Sequence, residues 1–371
     1  MSAWVSKLIF ALVAAAAVFV GTTAVDRAAV SPNSDVLRAK LTYGALQKYF
    51  YRPRSGLYAP SYPAPDATTP SEVWPFSQAL AATVAMAQAP PEIRVPTWAL
   101  VDRLRGLRRY WNTRARPPGY EAIAGANGQQ YYDDNAWIGL ELVRVNELTR
   151  QPFALRRAER IFELLVSGWD DDATHPCAGG VYWTRRQEIR DRNTISTARA
   201  AELGATLYLK TRRESFLGWA KHMYGWVARC LLGQNGLFAD HIDLHGTIER
   251  RQWSYNQGAM IAAAVRLYQA TGRAAYRTQA ERIADAAVRT YTPFFHSDEP
   301  PYFLAIFFDD LALLAQLDPA HDYTSSIRQY ADALAAGLDP MTGLVRFGTA
   351  PVGLLDQAAA VRVYAALAGG L

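Results

Sequence analysis

The sequence predicts an all-α fold, an (α/α)6 barrel of six helical hairpins, and three observations carry that expectation. About twelve segments show the 3.6-residue period of helices, and none alternates as a strand beyond four or five residues. The loops between them are short and long by turns. Two of the even segments have almost no charge, and the segments that follow them carry charged stripes. Half of the 371 residues are apolar, enough to fill a sizeable core.

The periodic segments lie near 34–51, 72–88, 96–112, 133–149, 152–168, 193–211, 214–232, 252–270, 273–290, 302–317, 322–337 and 353–369. From the fourth on, each even segment runs into the next through a short turn, centred on Thr149-Arg150-Gln151, Thr211-Arg212-Arg213, Thr271-Gly272 and Asp318-Pro319. Long loops precede the even segments, at 52–71, 113–132, 169–192, 233–251, 291–301 and 338–352. The segment 74–88 has no charged residue, and 253–270 has only Arg266. Their successors carry charged stripes, such as Arg273, Arg277, Glu281, Arg282, Asp285 and Arg289. A helix apolar all round is buried, and one with a charged stripe faces water. Even helices are therefore inner and odd ones mostly outer. All long loops, and all inner-helix N-termini with their positive dipole ends, collect at one end of the barrel.

The N-terminus reads as an export segment. Lys7 precedes the apolar run Leu8–Val20, and Gly21-Thr22-Thr23-Ala24 supplies small residues for cleavage. The wider window from Trp4 to Val25 leaves an uncleaved membrane tether as the alternative. Residues 1–30 are thus set apart from a barrel domain at 31–371, which works secreted, periplasmic or attached to the cell envelope.

Composition removes several function classes. The net charge of +5 is mild and scattered, which argues against a nucleic-acid partner. There is no GxxxxGK[ST], no early GxGxxG after a strand and no GxSxG. No cofactor and no metal are expected, and the protein is expected to be a monomer.

One inner helix starts Tyr131-Tyr132-Asp133-Asp134-Asn135-Ala136-Trp137. Adjacent carboxylates there can be driven apart in ionisation. One is stabilised as an anion by capping the helix, and its neighbour, beside a like charge, holds its proton. Glycoside hydrolysis needs that pairing, and consecutive positions set the carboxyls on the order of 5–6 Å apart, near the retaining separation. Tyr131, Tyr132 and Trp137 could wall a sugar site. The plainer alternative is a helix cap beside a solvated aspartate.

These residues resemble the hallmark of glycoside hydrolase family 76, the bacterial and fungal endo-α-1,6-mannanases. The resemblance extends through Val73-Trp74-Pro75, Gly179-Gly180-Val181-Tyr182-Trp183, Asn193-Thr194-Ile195-Ser196 and Trp253-Ser254-Tyr255-Asn256-Gln257-Gly258. It implies an (α/α)6 fold and retaining, metal-free hydrolysis of an α-1,6-linked mannose backbone in a polysaccharide or lipoglycan. Asp133 would be the nucleophile and Asp134 the general acid/base. Tyr132, Trp137, Trp183, Asn193, Tyr255, Asn256 and Gln257 would bind the sugar. Two departures stand out: Leu304-Ala305 replace an expected Lys-Gly, and Thr197 replaces an expected Asn.

Other features read less sharply. Asp240 falls at the long-loop end and is a candidate substrate contact. His241 and His245 would pair for a metal only on a helix, and their segment reads as a loop. Asp170-Asp171-Asp172 reads as a solvated acidic loop, and Asp309-Asp310 as a buried, partnered pair. Cys177 and Cys230 both fall at the long-loop end, where a disulfide and two buried thiols remain equal alternatives. A sugar epimerase or polysaccharide lyase on the same scaffold, or a glycan-binding barrel without catalysis, are the competing readings.

Overall fold

The ring of inner helices begins at Val73, where an almost charge-free sequence has no face to give to water. The structure, a computed structural model, describes residues 32–125, 128–292, 299–349 and 351–370. The export segment expected at 1–30 lies outside them. Among the described residues no helix is long and apolar enough to cross a membrane.

Twelve α-helices run through the described residues. The outer set is α1 (Pro32–Ala45), α3 (Thr97–Leu107), α5 (Pro152–Ser167), α7 (Glu214–Cys230), α9 (Ala274–Tyr291) and α11 (Thr324–Ala336). The inner set is α2 (Val73–Gln88), α4 (Tyr132–Thr149), α6 (Thr194–Thr211), α8 (Ser254–Thr271), α10 (Pro301–Leu317) and α12 (Leu354–Ala368). Contacts run α2–α4–α6–α8–α10–α12 and back to α2, so the inner helices close a ring. Each outer helix packs on its inner hairpin partner, with α1 on α12. This is the (α/α)6 barrel expected from loop length and charge.

Small side chains let the inner helices approach closely. Ala259, Met260, Ile261, Ala262, Ala263 and Ala264 of α8 are all fully buried, as are Ala198, Ala200 and Ala201 of α6. Gly258 shows why the Trp253–Gly258 segment ends in glycine. A Cβ there would meet Asp310 Oδ2 at 2.6 Å and the Phe307 backbone at 2.9 Å. Gly258→Ala is therefore expected to destabilise the barrel by about 1–3 kcal/mol, read as a fall in the denaturant midpoint.

Three of the short turns share one geometry. Arg150, Arg212 and Gly272 each follow an inner helix with positive φ (58°, 59° and 68°). Each donates its backbone N–H to the carbonyl four residues back, on Asn146, Tyr208 and Tyr268, at 2.8 Å. Only the third turn uses the residue for which this conformation is free of cost. Arg150→Gly and Arg212→Gly are each expected to stabilise by about 0.5–1 kcal/mol, seen as a small rise in Tm.

The long loops carry two-residue strands that tie them together. Ser61-Tyr62 pairs with Val352-Gly353, joining the first long loop to the last. Arg192-Asn193, His241-Ile242 and Ile248-Glu249 form a three-stranded antiparallel sheet. Cys177 and Cys230 form a disulfide, which fastens the 169–192 loop to the end of α7.

Candidate active site

A cleft of about 450 Å³ opens at the long-loop end. Its wall comes from the starts of five inner helices: Glu72 and Trp74 at α2, Tyr131, Asp133, Asp134 and Trp137 at α4, Asn193 and Ile195 at α6, Tyr255 at α8, and Phe303 at α10. Trp183, Asp191, Asp240 and His241 come from the loops. Among the described residues the lining holds five carboxylates, one imidazole, and no arginine or lysine.

The two central aspartates do not cap their helix. Tyr131 is the N-cap residue of α4 and makes no side-chain cap bond, so Asp133 and Asp134 occupy the first turn behind it. The helix start is instead held by the neighbouring loop, where Tyr132 N–H donates to the Trp183 carbonyl at 2.9 Å. The Trp183 indole Nε1–H donates to Asp133 Oδ2 at 3.2 Å, and its ring sits 4.9 Å from that of Tyr131. Gly179 and Gly180, earlier in the same loop, let it pack closely on α7. Both have positive φ, and a Cβ on either would strike the Trp226 ring within 2.8 Å.

Both carboxyls open to the cleft on one side and are enclosed on the others. Burial pushes Asp133 up to about 7, with the Asp240 charge adding, while backbone N–H groups and the Trp183 indole hold it back. Burial raises Asp134 further, and the charges of Asp133 and Glu72 raise it again. Asp133 thus loses its proton first and Asp134 keeps its own longer, but the helix cap expected to hold one of them as a standing anion is not made. Asp133 Oδ1, Asn193 Oδ1 and Trp74 Nε1 are buried without a hydrogen-bond partner, which leaves capacity for a ligand at the wall.

Of the other residues expected to bind sugar, Trp137, Trp183, Asn193, Tyr255 and Asp240 line the cleft. Tyr255 is pushed well up by burial and by the charges of Asp240 and Asp133, so it stays a neutral phenol. Its ring stacks on Phe303 at 4.1 Å and 12°. Three expected residues lie behind the wall. The Tyr132 ring packs over Gly168, and its neighbour Tyr131 takes the cleft face. Asn256 is fully buried and donates to Asp240 Oδ1 at 3.0 Å, so it holds a cleft residue rather than lining the cleft. Gln257 is also fully buried; it accepts from Phe238 N–H and donates to the Phe238 and Trp253 carbonyls, bracing a loop.

Glu72, Asp191, His241 and Phe303 were not singled out as site residues from the sequence. Glu72 and Phe303 had one available signal, their place at inner-helix starts. Asp191 and His241 had none, because strand pairing between two long loops brings them in. His245 is exposed on the turn beyond, apart from any helical face shared with His241. Asp170 is a correction: it is buried against Arg192 at 2.9 Å and His175 at 3.0 Å, and only Asp171 and Asp172 are solvated. Asp310 is a buried partner of Arg199, and Asp309 a half-buried partner of Arg362.

The family model for glycosyl hydrolase family 76 matches residues 37–343. The chain belongs to that family. Among curated relatives, this family 76 barrel is 25% identical over 180 residues to the mannan endo-1,6-alpha-mannosidase DCW1 of Saccharomyces cerevisiae, covering 46% of this chain and 39% of the yeast protein. A putative mannan endo-1,6-alpha-mannosidase of Schizosaccharomyces pombe is 27% identical over 172 residues, covering 43% and 38%. The chain thus spans about two fifths of the length of the curated relatives it matches. Among solved structures, a family 76 mannosidase from Bacteroides thetaiotaomicron superposes with a TM-score of 0.81 at 24% identity, over 90% of this chain and 98% of that one. The α-1,6-mannanase of Salegentibacter sp. HEL1_6 superposes at 0.72 and 21% identity, over 90% and 99%.

Proposed function

We propose that this family 76 barrel is an exported, retaining, endo-acting glycoside hydrolase that cuts α-1,6-linked mannose backbones. The observation that carries the reading is the Asp133–Asp134 pair on the cleft wall, with the proton held more tightly on Asp134. In the proposed reaction Asp134 protonates the glycosidic oxygen while Asp133 attacks the anomeric carbon. The leaving chain departs, and a glycosyl ester forms on Asp133. Asp134 then takes a proton from the water that releases the sugar with its configuration retained. Trp137, Trp183, Tyr131, Tyr255 and Phe303 would stack sugar faces, and Asp240 and Asn193 would bind hydroxyls.

The relatives support the linkage. The Salegentibacter mannanase is known as inactive variants, with two consecutive aspartates replaced, in complex with α-1,6-mannotriose and α-1,6-mannotetraose. The charge of the lining argues against a lyase. A lyase must neutralise the uronate carboxylate of its substrate, and five carboxylates with no arginine or lysine would repel one. Export is supported by the apolar N-terminal run and by the Cys177–Cys230 disulfide, which suits an oxidising compartment. Incubation with defined α-1,6-mannooligosaccharides, with products sized and their first-formed anomer read by proton NMR, tests the reading. Internal cleavage giving the α-anomer supports it, and an inverted product or no cleavage refutes it.

A further inference from the structure

Among the described residues His241 is the basic side chain within the carboxylates of the cleft, and the hydrolase chemistry above gives it no step. Its Nδ1 lies 2.8 Å from Asp240 Oδ2, and its Nε2 lies 3.8 Å from Asp191 Oδ2. Glu249 faces it across the strand pair, and Asn193 stands opposite on the other strand. Asp240, so held, is fixed on its other oxygen by Asn256. Across the cleft Asp240 acts on Asp133 of α4 and on Tyr255 of α8. Among the described residues no arginine or lysine pairs with Asp240, Asp191, Asp133 or Asp134.

We propose that His241 is a positioning residue for the dyad: as imidazolium it clamps Asp240 and offsets the carboxylate charge beside Asp133, so that Asp133 can ionise while Asp134 stays protonated. The proposal rests on the hydrolase reading for its kinetic consequence but not for the coupling itself. Three carboxylates around one imidazole favour its protonated form. The Asp240 hydrogen bond raises the His241 pKa first, and Asp191 and Glu249 add to it against the opposing effect of burial. The strand holding His241 cannot drift, because it lies in the middle of the three-stranded sheet. The imidazolium therefore sits at a fixed place beside the sugar site, unlike a surface histidine that follows the solvent.

The sign is fixed by electrostatics. Removing a positive charge near Asp133 makes its anion harder to form, so the acidic limb of the kcat/KM profile moves to higher pH. His241→Gln keeps a hydrogen-bonding side chain and loses the charge. It is expected to move that limb up by about one pH unit, a loss of about tenfold on the acid side of the profile. His241→Lys restores the charge and is expected to return the limb toward wild type, which a purely structural role would not do. Coupling is reciprocal, so Asp133→Asn should lower the pH at which the His241 ring titrates, read by NMR from its Cε1–H signal. That readout needs no turnover and separates failure of this proposal from failure of the hydrolase reading. An unmoved acidic limb in His241→Gln, or a His241 titration indifferent to Asp133→Asn, overturns it.

Discussion

Asp133→Asn and Asp134→Asn are each expected to lower the rate of α-1,6-mannooligosaccharide cleavage by roughly a thousandfold or more, with the barrel intact. In the proposed reaction the first loses the group that forms the ester, and the second the proton the leaving oxygen needs. Single-turnover assays should find the deficit in kcat, because Trp137, Trp183 and Tyr255 still hold the sugar. The wild-type profile should be bell-shaped. Activity appears as Asp133 ionises and disappears as Asp134 does. Since burial raises Asp133 to about 7, the rising limb lies near neutrality, far above ordinary carboxylates. Stability moves the opposite way. An acid whose pKa is raised by folding destabilises the fold as pH climbs through the titration, because the unfolded state gives up the proton more readily. Both Asn variants should therefore melt above wild type at pH 8, and the gap should narrow below about pH 7 and close only near pH 4, where the aspartates of the unfolded chain are protonated as well. Near-wild-type turnover in either variant ends the assignment.

Arg199→Met is expected to cost about 3–5 kcal/mol, the largest stability loss of any single substitution considered. Arg199 is almost fully buried in the barrel axis, where it bonds Glu202 of its own helix and both oxygens of Asp310 on α10. Removing it strands two carboxylates away from water. The guanidinium also lies 3.9 Å from the Trp137 ring, so the floor of the cleft rests on it. Chemical denaturation should show a lower midpoint, and KM should rise as Trp137 loosens. A variant in which Arg199, Glu202 and Asp310 are all replaced by apolar side chains of similar volume should recover much of the stability, since no charge is then left unpaired. A full loss in that triple variant would mean that shape, not charge balance, is what the site requires.

The architecture was legible because burial writes itself into composition. An inner helix has no face toward water, so α2 and α8 could not carry charge stripes, while α9 had to. The candidate site was legible only where helix starts carry it. Asp133, Asp134, Trp137, Asn193 and Tyr255 could be placed because inner-helix N-termini gather at one end. Tyr132 and Tyr131 could not be told apart, since the N-cap position decides which ring turns inward. Asn256 and Gln257 were expected to touch sugar on account of their polarity. In the wall they satisfy a carboxylate and loop backbone instead, a demand that comes from loop conformation. His241 and Asp191 depended on pairing between strands about fifty residues apart, for which two-residue strands leave no periodic trace.

The helix that shuts the ring is the last of the twelve described helices in chain order. α12 stands between α10 and α2 in the ring and packs on α1, where its Gln357 donates to the Thr42 carbonyl at 2.8 Å across 315 positions. Until synthesis reaches that point, the nascent chain is an open crescent whose first and fifth hairpins have an uncovered flank. Closure of the barrel thus waits on synthesis of α12, and a chain interrupted before Leu354 would be a molecule with two sticky seams rather than a slightly smaller barrel.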